Sequence, residues 1–135
     1  MITTMTHVSI YVLDQDSAYD FYINKLGFKV ITDVPMPNND RWITVCPPQQ
    51  PGFEIVLSPV TRGTKSKESI KVLTELIKKG TFGAGVFTST DIFATYEELK
   101  AKGVEFTKPP TKEPYGTEAL FKDDSGNWFS LAQLG

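Results

Sequence analysis

The chain has 135 residues, of which 40% are hydrophobic and 22% charged, and this composition suits one compact domain with a buried core. Its formal net charge of -2 argues against nucleic acid and anionic membranes as partners, because both bind basic surfaces most strongly. No apolar run approaches the roughly 20 residues of a membrane span. The opening residues lack the basic start and apolar block of a secretory signal. We therefore expect a cytoplasmic protein, in which the single cysteine, Cys46, is an inert buried thiol.

The first elements follow from hydrophobic periodicity. Alternation over residues 6–12 predicts a strand with one apolar face and one polar face, the polar face carrying His7, Ser9 and Tyr11. Apolar residues at helical spacing predict a helix over residues 16–26, and Gly27 stands where a left-handed C-terminal cap is expected. Further strands are predicted over residues 28–31, 41–46 and 52–58, with a turn over residues 35–40.

The second half of the chain repeats this order. A strand over residues 85–88 precedes a helix that begins after Asp91 and ends at Gly103. A strand over residues 104–106 follows, is ended by Pro109 and Pro110, and leads to a hairpin of residues 118–121 and 128–131. The segments NKLGFKV (residues 24–30) and KAKGVEF (residues 100–106) each place one glycine between a helix and the next strand. The pattern indicates an internal duplication of a β-α-β-β-β unit.

These elements predict an α+β fold in which two βαβββ repeats form a curved mixed sheet around a cavity. We expect a single domain over residues 1–135, with repeats at residues 6–58 and 83–134. Residues 59–82 are interpreted as a connector that holds one amphipathic helix. Since one helix covers only one face of each sheet, the face of His7 and Glu54 is left for water, a metal or a ligand.

The sequence resembles the vicinal-oxygen-chelate superfamily, which includes glyoxalases, bleomycin-resistance proteins and extradiol dioxygenases. The run THVSIYVLDQDSAYDFYINKLGFKV is similar to the opening of these proteins, and ATYEELKAKGVEF with PYGTEALFKDDSGNWFSLAQ is similar to their close. The resemblance covers nearly the whole chain, and the closing hairpin is its most specific part.

The resemblance implies a divalent metal held by one side chain from the start and one from the end of each repeat. His7 and Glu54 match the first pair and suit zinc, nickel, manganese or iron. The alternative for this pair is a pocket histidine hydrogen-bonded to Glu54, which serves in acid-base chemistry or anchors a ligand. Ala84 and Ser130 stand at the second pair and do not match, which leaves fewer than the three protein ligands usual for a catalytic zinc. Glu118 is a substitute carboxylate, and the cofactor is expected to be one divalent metal or none.

Two main functions remain open. A binding protein would hold a small ligand in the cavity, with Ser9, Tyr11, Trp42, Tyr115, Trp128 and Ser130 as candidate contacts. For the two tryptophans, core packing or a dimer contact is an equal alternative.

The second function is a lyase, isomerase or dioxygenase, in which a metal on His7 and Glu54 polarises two neighbouring substrate oxygens and Glu54 or Glu118 moves the proton. A degenerate, non-catalytic family member is a third reading. A homodimer is expected, because the open sheet edges need cover.

Overall fold

A computed structural model describes residues 1–63 and 65–135 of the chain. It has two compact units, Met1–Thr74 and Glu75–Gly135, with the boundary inside a helix of the predicted connector. Among the described residues, no helix is long and apolar enough to cross a membrane. The assignment of residues 1–135 to one domain stays a prediction.

The first unit contains one four-stranded mixed sheet in the order β1-β4-β3-β2. Its elements are β1 (His7–Val12), α1 (Gln15–Tyr19), a π-helical segment (Asp20–Lys25), β2 (Lys29–Met36), β3 (Asp40–Cys46), β4 (Glu54–Pro59) and the start of α2 (Lys67–Lys78). β1 runs parallel to β4 and sets His7 opposite Glu54. Ile10, Val12 and Leu57 are buried on the apolar side of this pair, as the alternation of β1 predicted.

The first helix differs from the regular helix predicted over residues 16–26. Asp14 caps its N-terminus by accepting a hydrogen bond from the Ser17 amide, and the chain turns π-helical at Asp20. The wider turn brings the Leu26 amide to the Phe21 carbonyl, five residues back. Gly27 ends the segment with a φ of 75°, as the cap prediction required.

The prediction for β2 was too short, since this strand continues through Pro35 to Met36. The predicted turn is correspondingly smaller and depends on Asn38 and Asn39, which have φ values of 68° and 59°. Asparagine tolerates the left-handed region better than most residues. β2 is an edge strand, so the missing amide of Pro35 costs it little.

The second unit contains the end of α2 and a second four-stranded mixed sheet in the order β5-β8-β7-β6. Its elements are β5 (Gly83–Thr88), α3 (Ile92–Ala101), β6 (Glu105–Glu113), β7 (Gly116–Lys122) and β8 (Trp128–Leu134). Asp91 caps α3 as predicted, its side chain accepting from the Ala94 amide. Phe87, Phe121 and Phe129 pack together in the core, with ring centroids 4.8 to 6.2 Å apart.

One boundary in this unit was wrong. Pro109 and Pro110 do not end β6, which runs on to Glu113 and pairs with β7 through two irregularities of register. β6 lies at the sheet edge, where residues without an amide hydrogen are tolerated. The fold class is confirmed: the protein is α+β, and each half carries the β-α-β-β-β order with a mixed sheet.

Candidate ligand-binding faces

Each unit has a sheet face opposite its helix, and most of the candidate residues lie on these two surfaces. We call the surface of the first unit the first face; it carries His7, Ser9, Tyr11, Trp42, Thr44 and Glu54. The second face belongs to the second unit and carries Val86, Lys108, Glu118, Trp128 and Ser130.

His7 and Glu54 are brought together on the first face, with Nε2 of the imidazole 3.1 Å from Oε2 of the carboxylate. This contact follows from the parallel register that sets the two residues side by side. The other ring nitrogen, Nδ1, lies 2.7 Å from the Thr6 hydroxyl oxygen. Both imidazole nitrogens therefore have protein partners.

Glu54 has a second partner that the sequence analysis did not single out. The Thr44 hydroxyl donates to Glu54 Oε1 at 2.6 Å. Thr44 is fully buried on β3 and lies two residues from Trp42, hence on the same side of that strand. The alternation of β3 was the signal that could have identified it.

The two aromatic candidates of the first face lie beneath cations. The Arg62 guanidinium carbon lies 5.3 Å from the ring centroid of Trp42, and Lys65 Nζ lies 4.5 Å from that of Tyr11. The His7 ring is also near Trp42, at 6.5 Å between centroids. Ser9 is exposed and makes no side-chain hydrogen bond to any of the residues described, so nothing links it to this cluster.

The second face is organised around Glu118. Its Oε2 accepts a hydrogen bond of 2.7 Å from the Ser130 hydroxyl, and its Oε1 lies 3.0 Å from Lys108 Nζ. Lys108 also donates to Glu113 at 2.8 Å. The Ser130 hydrogen bond, followed by that of Lys108, lowers the pKa of Glu118, and the Tyr115 hydroxyl acts in the same direction. Lys108 and Glu113 were not among the predicted site residues, because β6 was predicted to end before it reached them.

The remaining predicted residues of this unit have separate surroundings. The pKa of Tyr115 is raised, chiefly by its hydrogen bond to Glu118, although the side chain is largely exposed. The Trp128 indole packs against the backbone of Gly83, where an added Cβ would lie only 2.5 Å from the ring. Ala84 falls in a break of register between β5 and β8, so Ser130 lies opposite Val86 instead.

Comparison with known proteins identifies the family. The sequence model of the Glyoxalase/Bleomycin resistance protein/Dioxygenase superfamily matches residues 4–131. The chain belongs to this superfamily. Its predicted resemblance is thereby confirmed over nearly the whole length.

Similar proteins match this chain over nearly its whole length. An uncharacterised protein of Bacillus subtilis (strain 168), YurT, is 41% identical, the match covering 93% of this chain and 94% of YurT. The crystal structure of UcmS2 is 47% identical with a TM-score of 0.91, and 98% of each chain is covered. TnmS3, described as an antibiotic binding protein from Streptomyces sp. CB03234, is 26% identical with a TM-score of 0.77 over 99% of this chain and 98% of its own.

The superfamily implies a divalent metal, and the side chains of this member do not fit one. No group of three or more histidine, cysteine, aspartate or glutamate side chains able to hold an ion lies among residues 1–63 and 65–135. His7 Nε2 and Glu54 Oε2 are 3.1 Å apart and contact each other, and Glu118 is paired with Lys108, whose ammonium repels a cation. A catalytic metal site of the usual three protein ligands is therefore not assembled from these residues.

Proposed function

We propose that this protein binds a small aromatic molecule on its open sheet faces without a metal, and that it acts by sequestering that molecule. The proposal rests on the contacts of the two candidate carboxylates, each of which already has two protein partners. Glu54 is bonded to His7 and Thr44, and Glu118 to Ser130 and Lys108. Carboxylates that already have protein partners favour an organic ligand over a metal ion, because a metal needs ligand atoms that are free to converge on it.

Aromatic side chains favour a planar ligand. Trp42 and Tyr11 are only partly buried on the first face, so each keeps ring surface outside its contact with Arg62 or Lys65 that a ligand can cover. Flat rings prefer offset or edge contacts with other rings, which add binding energy beyond buried area. The similarity to TnmS3, described as an antibiotic binding protein, agrees with capture of a drug-like molecule.

Titration with the neutral dye N-phenyl-1-naphthylamine tests this proposal. We expect saturable binding at one dye per face or fewer, with energy transfer from tryptophan. The variant Trp42→Phe is expected to weaken binding about tenfold, since losing part of an aromatic contact costs about 1.4 kcal/mol. Phe93→Leu is the control, because Phe93 is exposed on α3 and is not a residue of either face. Non-saturable dye uptake, or equal effects of the two variants, contradicts the proposal.

We also propose that two copies of the chain associate. β1 and β5 are edge strands, and His7 and Val86 on them are substantially exposed, with 67% of Val86 accessible. Unpaired strand edges with apolar side chains favour pairing with another chain. Light scattering of the purified protein is expected to give twice the 15.1 kDa monomer mass, and a purely monomeric solution contradicts this part of the proposal.

A second candidate function is proton transfer by the His7–Glu54 pair. The imidazole side chain is 41% exposed while its Nε2 lies 3.1 Å from the carboxylate, an arrangement that orients a histidine for acid-base chemistry. Exchange of an activated C–H proton in a bound ketone, followed by NMR in heavy water, tests this candidate. Loss of the exchange in His7→Gln supports it, and exchange that is unchanged in that variant contradicts it.

A further inference from the structure

We propose that the first face selects an aromatic anion, whose rings contact Tyr11 and Trp42 and whose acid group binds Lys65 and Arg62. This inference rests on the proposed function and adds the chemical class of the ligand. Both cations come from the segment after β4, which the sequence analysis interpreted as a plain connector.

One terminal nitrogen of the Arg62 guanidinium is held by two hydrogen-bond partners, and the other is not. Its Nη2 lies 3.0 Å from Asp40 Oδ2 and donates to the Arg41 carbonyl at 2.8 Å. The other terminal nitrogen, Nη1, is buried and has no hydrogen-bond partner in the described part of the chain. The ring of Trp42 beneath the guanidinium is only a weak acceptor. A buried donor without an acceptor is destabilising, so a ligand oxygen that reaches Nη1 would be favoured.

Lys65 supplies the positive charge that is left uncompensated. Its ammonium lies over the Tyr11 ring and donates to the Arg62 carbonyl, and no carboxylate pairs with it among the residues described. Arg62, by contrast, is balanced by Asp40. An ammonium has three donor hydrogens, so Lys65 keeps donors for an anionic group.

These positions decide the ligand class. The uncompensated ammonium of Lys65 beside the Tyr11 ring attracts a carboxylate, sulfonate or phenolate attached to a ring system and disfavours an aromatic cation. A neutral aromatic molecule would gain only the ring contacts. The first face is therefore expected to distinguish two ligands that share a skeleton and differ only in the acid group.

A matched pair of dyes makes this comparison. 1-Anilinonaphthalene-8-sulfonate and N-phenyl-1-naphthylamine share their ring skeleton, and only the first carries a sulfonate. We expect the sulfonate dye to bind more tightly and its affinity to fall with added salt. Lys65→Met is expected to weaken the sulfonate dye about tenfold, as loss of a charge-assisted hydrogen bond implies, and the neutral dye less than twofold.

Two further variants separate charge from structure. Lys67→Met removes a nearby exposed positive charge and is expected to leave both affinities within twofold, while Lys65→Arg is expected to retain sulfonate binding. Equal affinities of the two dyes for the wild-type protein, or equal losses of both in Lys65→Met, overturn this inference and leave the proposed function standing. Failure of both dyes to bind saturably overturns the proposed function as well.

Discussion

Lys108 and Glu118 form an ion pair on the second face, with Nζ 3.0 Å from Oε1. The same ammonium bonds Glu113, and this contact, followed by that with Glu118, raises the pKa of Lys108. Glu118 was predicted as a substitute metal ligand or a base. Its lowered pKa instead describes a carboxylate that is stabilised in its charged form and is a weak base.

The pH dependence of stability follows from this pair. Because the folded pKa of Glu118 is below its usual 4.5, its stabilising contribution is present above the unfolded pKa and is lost as the pH falls through the folded pKa. Glu118→Gln is expected to lower the free energy of unfolding by about 1–2 kcal/mol at pH 7. Urea unfolding from pH 7 to pH 2.5 should show this difference shrinking on acidification.

Glu105→Gln is the control for that series. Glu105 is 69% exposed and its pair with Lys122 is long, at 3.8 Å, so the variant is expected to change stability by less than about 0.5 kcal/mol. A Glu118→Gln effect that stays constant across the pH range would show that charge is not its cause.

Two glycines of β5 give a matched test of the Trp128 position. A Cβ at Gly83 would lie 2.5 Å from the Trp128 ring, whereas a Cβ at Gly85 meets nothing nearer than 3.9 Å. Gly83→Ala is expected to displace the indole, to shift its emission and to lower stability by about 1–3 kcal/mol. Gly85→Ala is expected to leave the emission unchanged. Identical spectra of the two variants would contradict the packing of Trp128 on Gly83.

The turn between β7 and β8 depends on a buried carboxylate. Asp123 Oδ1 accepts from the amides of Ser125, Gly126 and Asn127, each at 2.9 Å. Asp123→Ala removes the acceptor for all three and is expected to destabilise the protein by about 2–3 kcal/mol in thermal unfolding. Asp123→Asn keeps one acceptor oxygen and is expected to cost less. A rise in the unfolding temperature on addition of calcium, in the wild type or in either variant, would contradict a purely structural turn.

The sequence predicted those features that depend on local pattern. Alternation in β1 correctly predicted that His7 lies on one face of the strand and its apolar neighbours on the other. Gly27 and Asp91 correctly predicted helix ends. The extent of β6 was missed, because Pro109 and Pro110 end a central strand but are tolerated at an edge. Whether a strand lies at an edge depends on the sheet order, which a local window does not contain.

Local sequence pattern also predicted only part of the candidate site. The pairing of His7 with Glu54 was predicted from the resemblance, and the structure places them 3.1 Å apart. The contacts of Lys108 with Glu118, and of Arg62 with Trp42, join residues 10 and 20 positions apart across different elements. They depend on register and side-chain direction, so sequence spacing alone did not reveal them.

Dye binding by the metal-free protein distinguishes metal-independent capture from a metal-dependent site. The protein would be treated with a chelator, checked for zinc, nickel, manganese and iron, and titrated calorimetrically with N-phenyl-1-naphthylamine before and after one equivalent of each metal is restored. We predict one dissociation constant, within twofold, under all conditions, and no stoichiometric metal uptake that depends on His7. Dye binding that requires a metal, with metal uptake lost in His7→Ala, would contradict it.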